Sequence, residues 1–125
     1  MPIYSFEELE VYKVCRDFRK EVSLLYKKFP KAEIFLLTAQ LKDASRSVTA
    51  NIAEGFGRYH YQENIQFCRQ SRGSLMETLE HLITAFDETY ITEAELNFMK
   101  EKYDHCLKLL NGYIAHLKLR KNTAQ

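Results

Sequence analysis

Glycine and proline are scarce in this chain, four and two among 125 residues. An all-β fold spends both on its many tight turns, so their shortage favours a few long helices. Pro2 is terminal, and Pro30 follows the first periodic run. No stretch approaches the roughly 18 apolar residues of a membrane helix. The opening Met-Pro-Ile-Tyr-Ser-Phe-Glu-Glu has neither a basic segment nor an apolar one, so no secretory leader and a cytoplasmic location are expected. Cys15, Cys68 and Cys106 are an odd, widely spaced set without Cys-x-x-Cys or a Cys-His cluster. That excludes a disulfide framework or structural zinc site, and each reads as a small buried hydrophobe.

The motifs of catalysis are missing as well. There is no His-Glu-x-x-His, no Gly-x-Ser-x-Gly and no phosphate-binding glycine loop. A di-iron bundle needs Glu-x-x-His on two helices, and none of His60, His81, His105 or His116 has a Glu three residues earlier. Glu77/His81 and Glu101/His105 are spaced i,i+4, which ion pairing on a helix face explains. The expectation is no enzyme, no cofactor and no resident metal.

What is present is helical period. At 46% hydrophobic and 28% charged residues, the chain has the makings of one globular domain over residues 1–125. Ser5 and Glu8 form a capping box. Behind it Val11, Cys15, Phe18, Val22, Leu25 and Phe29 recur at alternating steps of four and three. Pro30 disfavours helical backbone at Phe29. A second helix runs to Gly55 or Gly57, either of which suits a left-handed cap. The third has the stripe Ile65, Cys68, Arg72, Leu75, Leu79, Leu82 and Phe86. Thr92 and Glu95 then box the fourth, with Leu96, Met99, Tyr103, Cys106 or Leu107, Leu110, Ile114 and Leu117. The predicted helices span about 6–28, 33–55, 62–89 and 93–119, with residues 122–125 frayed. Short connections force antiparallel neighbours, giving an all-α, up-down-up-down four-helix bundle.

Within the second helix, Leu41, Ala44, Val48, Asn51 and Gly55 occupy one face. A polar amide and nearby Glu54 in such a place need partners, since an unsatisfied buried polar group costs about 1–3 kcal/mol. Arg72, at a seam position of helix three, is the predicted partner of Glu54, with Asn51 bonding across the bundle or to a neighbouring subunit. Ala44, Ser47, Ala50, Ala53 and Gly73 predict a close helix or subunit contact.

The net charge is only +1, but positive charge is concentrated. Residues 11–31 carry an excess of five positive charges, and Lys13, Arg16, Lys20 and Lys27 lie opposite the apolar seam of helix one. Such a face neutralises phosphates, with binding that falls steeply with salt. Residues 102–121 carry an excess of four, on a helix that begins at the other end of the bundle. Phe56, Arg58, Tyr59, His60 and Tyr61 crowd the second loop. They either stack on unpaired bases or plug the bundle end and meet the next subunit, the reading favoured for clustered aromatics.

These residues carry a resemblance. The chain resembles, over about Phe6–Leu117, the small bacterial four-helix-bundle proteins named after the intervening sequences of 23S ribosomal RNA. The marks are Phe29-Pro30 with Glu33, Leu37 with Gln40-Leu41, Ser47-Val-Thr-Ala-Asn-Ile-Ala-Glu-Gly55, and Arg72-Gly-Ser-Leu-Met-Glu77 with Glu80. Thr49 stands where that pattern leads one to expect proline. The resemblance implies a closed bundle that self-associates into a ring, a pentamer. A distant similarity to the accessory protein of diversity-generating retroelements implies contacts with nucleic acid or reverse transcriptase. The family resemblance also marks Asn51, Glu54, Gly55, Arg72, Gly73 and Glu77 as a structural or interface block.

The functional expectation is a non-enzymatic homo-oligomer that engages RNA or DNA through Lys13, Arg16, Lys20, Lys27 and Arg58. The alternative is a protein–protein scaffold with no nucleic-acid role. A third reading gives the Glu/His pairs a metal.

Overall fold

A computed structural model describes residues 3–123; Pro2 and the expected fraying of Ala124 and Gln125 lie outside the described residues. It is all-helical: α1 Glu10–Tyr26, α2 Leu37–Phe56, α3 Tyr61–Asp87 and α4 Glu93–Thr123, with 3-10 turns at Phe6–Glu8 and Lys31–Glu33. Each helix packs on its sequence neighbours, and α4 closes the bundle against α1. The α1 seam is as predicted, with Val11, Cys15, Phe18, Val22, Leu25 and Phe29 all buried. So is that of α4, where Cys106 rather than Leu107 takes the ambiguous place.

Several helix ends differ from expectation, the end of α4 among them, which was expected at 119 with fraying from 122. The Ser5 box opens only a 3-10 turn: Glu7 N–H donates to Ser5 Oγ at 3.2 Å and Tyr4 N–H to Glu8 Oε2 at 3.2 Å. Leu9 is then extended (φ −68°, ψ 129°), and α1 starts at Glu10. This break lets Leu9 sink into the core and Phe6 set its ring edge-on to Tyr12, with centroids 4.9 Å apart.

Helix α2 begins at Leu37, not near residue 33. Glu33 stays outside the helix and caps it, its Oε1 accepting the Leu37 N–H at 3.3 Å. Neither Gly55 nor Gly57 adopts a left-handed conformation; Gly57 closes α2 with φ −76°. The left-handed residue is Thr89 (φ 67°), after α3. There Tyr90 N–H reaches Ala85 O at 2.8 Å and Thr89 N–H reaches Phe86 O at 2.9 Å, the paired bonds of a Schellman cap. The Thr92–Glu95 box forms as predicted, with reciprocal bonds of 2.9 and 3.1 Å. Helix α4 stays regular through Asn122 and Thr123.

The predicted Glu54–Arg72 pair does not form. Glu54 is exposed and lies 3.7 Å from Arg58, while half-buried Arg72 donates to Asn111 Oδ1 of α4 at 2.8 Å. Ser71, one residue earlier, is the buried member of the α3 seam, donating its hydroxyl to Val48 O at 2.7 Å. Thr78 is buried where Leu79 was expected. Small hydroxyl residues take these places because the α2–α3 contact leaves little room and each can bond a helix carbonyl. Asn51 bonds only its own helix, to Ser47 O and Oγ at 2.9 Å each. Ser47 reaches Ser74 across the contact at 2.8 Å.

Gly55 marks the tightest approach. A Cβ there would lie 2.6 Å from Asn64 Oδ1 and 3.0 Å from Phe67 Cβ. Gly73, by contrast, has nothing within 4 Å of its would-be Cβ, so it does not serve close packing within the bundle.

The three cysteines, far apart in sequence, are free and buried in the core. Cys15 and Cys106 face each other across the α1–α4 seam; their hydrogen bond and burial hold the Cys15 thiol far above its ordinary pKa. Burial pushes the Cys68 thiol up to about 12.

Candidate nucleic-acid interface

Lys13, Arg16 and Lys20 are exposed on the outer face of α1, and Lys27 is exposed just past its C-terminus. Helix α2 runs antiparallel beside them, and the valley between the helices holds two hollows of about 640 and 530 Å3 that share Tyr26, Lys27 and Arg46. Six cations line this continuous groove: Arg19, Lys20, Lys27, Lys31, Lys42 and Arg46. The carboxylates there are Asp17, Glu21 and Asp43, and Asp17 is occupied by Lys102 of α4 at 2.5 Å. None of the six cations pairs with a carboxylate within 4.0 Å among the described residues. Their charge faces solvent.

Arg19 is fixed within the groove. Half-buried, it crosses from α1 to α2 and donates to Thr49 Oγ1 at 2.8 Å. Thr49 is the position at which the family resemblance led one to expect proline. A hydroxyl there keeps α2 unbroken and holds one donor of the guanidinium.

The groove differs from the sequence expectation in membership. Lys20 and Lys27 line it, while Lys13 and Arg16 extend the same face toward the start of α1. Arg19, Lys31, Lys42 and Arg46 were missed, although the i,i+4 spacing of Lys42 and Arg46 was a legible sign of a second basic stripe. Arg58 does not join them. It sits at the α2–α3 turn, at the other end of the bundle from Lys27, between Glu54 at 3.7 Å and Glu63 at 3.6 Å, with its guanidinium 4.8 Å from the Phe67 ring centre. The basic C-terminal part of α4 lies apart too, in a hollow of about 250 Å3 where Arg69, Lys118 and Lys121 meet and Lys121 donates to Gln62.

The loop aromatics divide. Phe56 and Tyr61 pack on the core and plug the bundle end, whereas Tyr59 is 93% exposed, its ring edge-on to His60. Glu77 lies 3.2 Å from His81; no third ligand approaches, and no group of three potential metal ligands converges among the described residues. No helix of the described residues is long and apolar enough to cross a membrane.

Residues 7–112, nearly the whole bundle, match the family model described as 23S rRNA-intervening sequence protein. The chain belongs to that family. A crystal structure at 1.70 Å of a Bacteroides thetaiotaomicron protein of the S23 ribosomal protein family, of unknown function, is similar to it, with a TM-score of 0.76 and 22% identity. The similarity covers 83% of this chain and 97% of that one, and at this identity it shows a common fold. No curated protein matches the chain. Phe29, Pro30 and Glu33, among the residues that carry the resemblance to the 23S rRNA-intervening sequence proteins, have a physical role in the fold. They form the corner that caps α2, and Phe29 packs its ring against Tyr90 at 5.5 Å.

Proposed function

We propose that this protein is a non-catalytic helical module that self-associates and binds nucleic acid through the groove between α1 and α2. The observation that carries the reading is the unpaired state of Arg19, Lys20, Lys27, Lys31, Lys42 and Arg46 on one continuous concave face. Unpaired cations repel one another, and a polyanion relieves that repulsion while releasing its counterions. Phosphate contact of this kind needs no base-specific geometry, which suits a surface built from long, flexible side chains.

Self-association into a ring is supported by the opposite end of the bundle. Tyr59 and Ile3, both exposed, line one hollow there beside Leu117 and His116. An aromatic 93% exposed next to an apolar neighbour supports a subunit contact that leaves the groove open.

The test is a fluorescence-anisotropy titration of a structured RNA and a DNA duplex at low and physiological salt. Light scattering on the same protein reads the assembly. Wild-type binding should weaken steeply with salt, and the double variant Lys20→Glu/Lys27→Glu should lose about tenfold or more in affinity with assembly intact. No binding at low salt by folded, oligomeric protein, or a charge-reversed variant that binds like wild type, would reject the groove as the nucleic-acid site. The first of those results would leave a protein–protein scaffold as the function.

A further inference from the structure

We infer that the nucleic acid held by this groove is single-stranded, with an unpaired base stacked on Phe35; the inference rests on reading the groove as a nucleic-acid site. Ile34, Phe35 and Leu36 are consecutive apolar residues, and all three face solvent, Phe35 with 88% of its surface exposed. Isolated exposed apolar residues are ordinary on a protein surface, but a consecutive run is unusual unless it has a use. The run is held outward by local structure: Glu33 stays outside α2 to cap it, so the three residues after it form the rim and not the first helical turn.

Phe35 lines the same hollow as Lys31, Lys42 and Arg46. An aromatic face beside three cations matches a chain that offers phosphates and base faces together. A duplex offers only the first, because its base faces are stacked inside. Reading its edges takes a helix or ribbon that enters the major groove. Here the cations and Phe35 line the depression between α1 and α2 and do not project from one helix face. A single strand laid along the valley brings phosphates to Lys27 and Arg46 and turns a base onto Phe35. Stacking accepts any base, so the strand is held with little sequence preference. Leu24, 59% exposed in the adjoining hollow, extends the apolar track along α1.

The test uses full-length protein, a fluorescein-labelled unstructured RNA strand, and the same strand annealed to its complement, at low salt. Wild type should bind the strand about tenfold more tightly than the duplex. Phe35→Ala should weaken strand binding about tenfold and leave duplex binding unchanged, Phe35→Trp should retain it, and Lys27→Glu should weaken both. Phe35 touches solvent, so folding survives its replacement, which circular dichroism checks. Equal affinity for strand and duplex, or a Phe35→Ala variant indistinguishable from wild type, would overturn the inference while leaving the groove a phosphate site. Loss of both ligands in wild-type protein would instead reject the nucleic-acid reading itself, leaving the apolar rim to a protein partner.

Discussion

The Tyr90 hydroxyl donates to Glu33 Oε2 at 2.6 Å, tying the α3–α4 connection to the corner that starts α2. One carboxylate thus does two tasks, since its other oxygen accepts the Leu37 N–H. The bond to Glu33, followed by desolvation, pushes the Tyr90 phenol up to about 12. A folded-state pKa above the unfolded value of about 10 means the neutral phenol stabilises the fold fully below about pH 10. That contribution fades as pH rises toward about 12. Tyr90→Phe should lower the thermal midpoint at neutral pH and flatten the alkaline loss of stability, as measured by thermal denaturation from pH 8 to 12.

Glycines at different places should respond with opposite sign. Gly55→Ala forces Asn64 and Phe67 aside and should destabilise by about 1–3 kcal/mol. Gly73→Ala and Gly112→Ala meet nothing within 4 Å and remove backbone freedom from helix interiors. Each should stabilise by about 0.5–1 kcal/mol. Urea denaturation of the three variants checks the signs.

Thr89 holds a left-handed conformation that β-branched residues resist. Thr89→Gly keeps both bonds of the cap, which are made by backbone, and relieves that strain. A gain of about 1 kcal/mol in urea denaturation is expected; a loss would show that the threonine side chain is needed there.

At the start of α4, Glu95 is held below the ordinary carboxylate range, first by the Thr92 backbone N–H and then by Lys28. A depressed folded pKa gives stability that is complete above about pH 4.3 and is lost as pH falls through the folded value. Glu95→Gln should therefore lower stability at neutral pH and shrink its acid dependence. Thr92→Ala, which removes the other half of the box, should cost about 1 kcal/mol at neutral pH. Both are read by thermal denaturation across the acid range.

Much of this architecture was legible in spacing alone. The α1 seam alternates steps of four and three without interruption, the α4 seam does so except for two successive steps of four from Cys106 to Ile114, and Thr92–Glu95 announces a helix start. The α3 seam was misplaced by one residue at Arg72 because Ser71 and Thr78 look like surface residues until the carbonyls they bond are known. The start of α2 was misplaced because a glutamate inside a helix and one capping it from outside give the same local pattern. Half of the groove was written on α1. The rest depends on how α2 crosses it, which periodicity does not encode, and so the meeting of Arg46 with Lys27 emerged only in three dimensions.

The trio of buried thiols gives the molecule an internal recorder of its own breathing. Cys15, Cys68 and Cys106 are wholly screened from solvent, and the raised pKa values of Cys15 and Cys68 keep those two protonated and unreactive. A thiol reagent meets them only when helices separate, so its rate of reaction measures how often they do. Because Cys15 and Cys106 straddle the α1–α4 seam, their labelling times the parting of the two helices that contact each other across the longest stretch of chain.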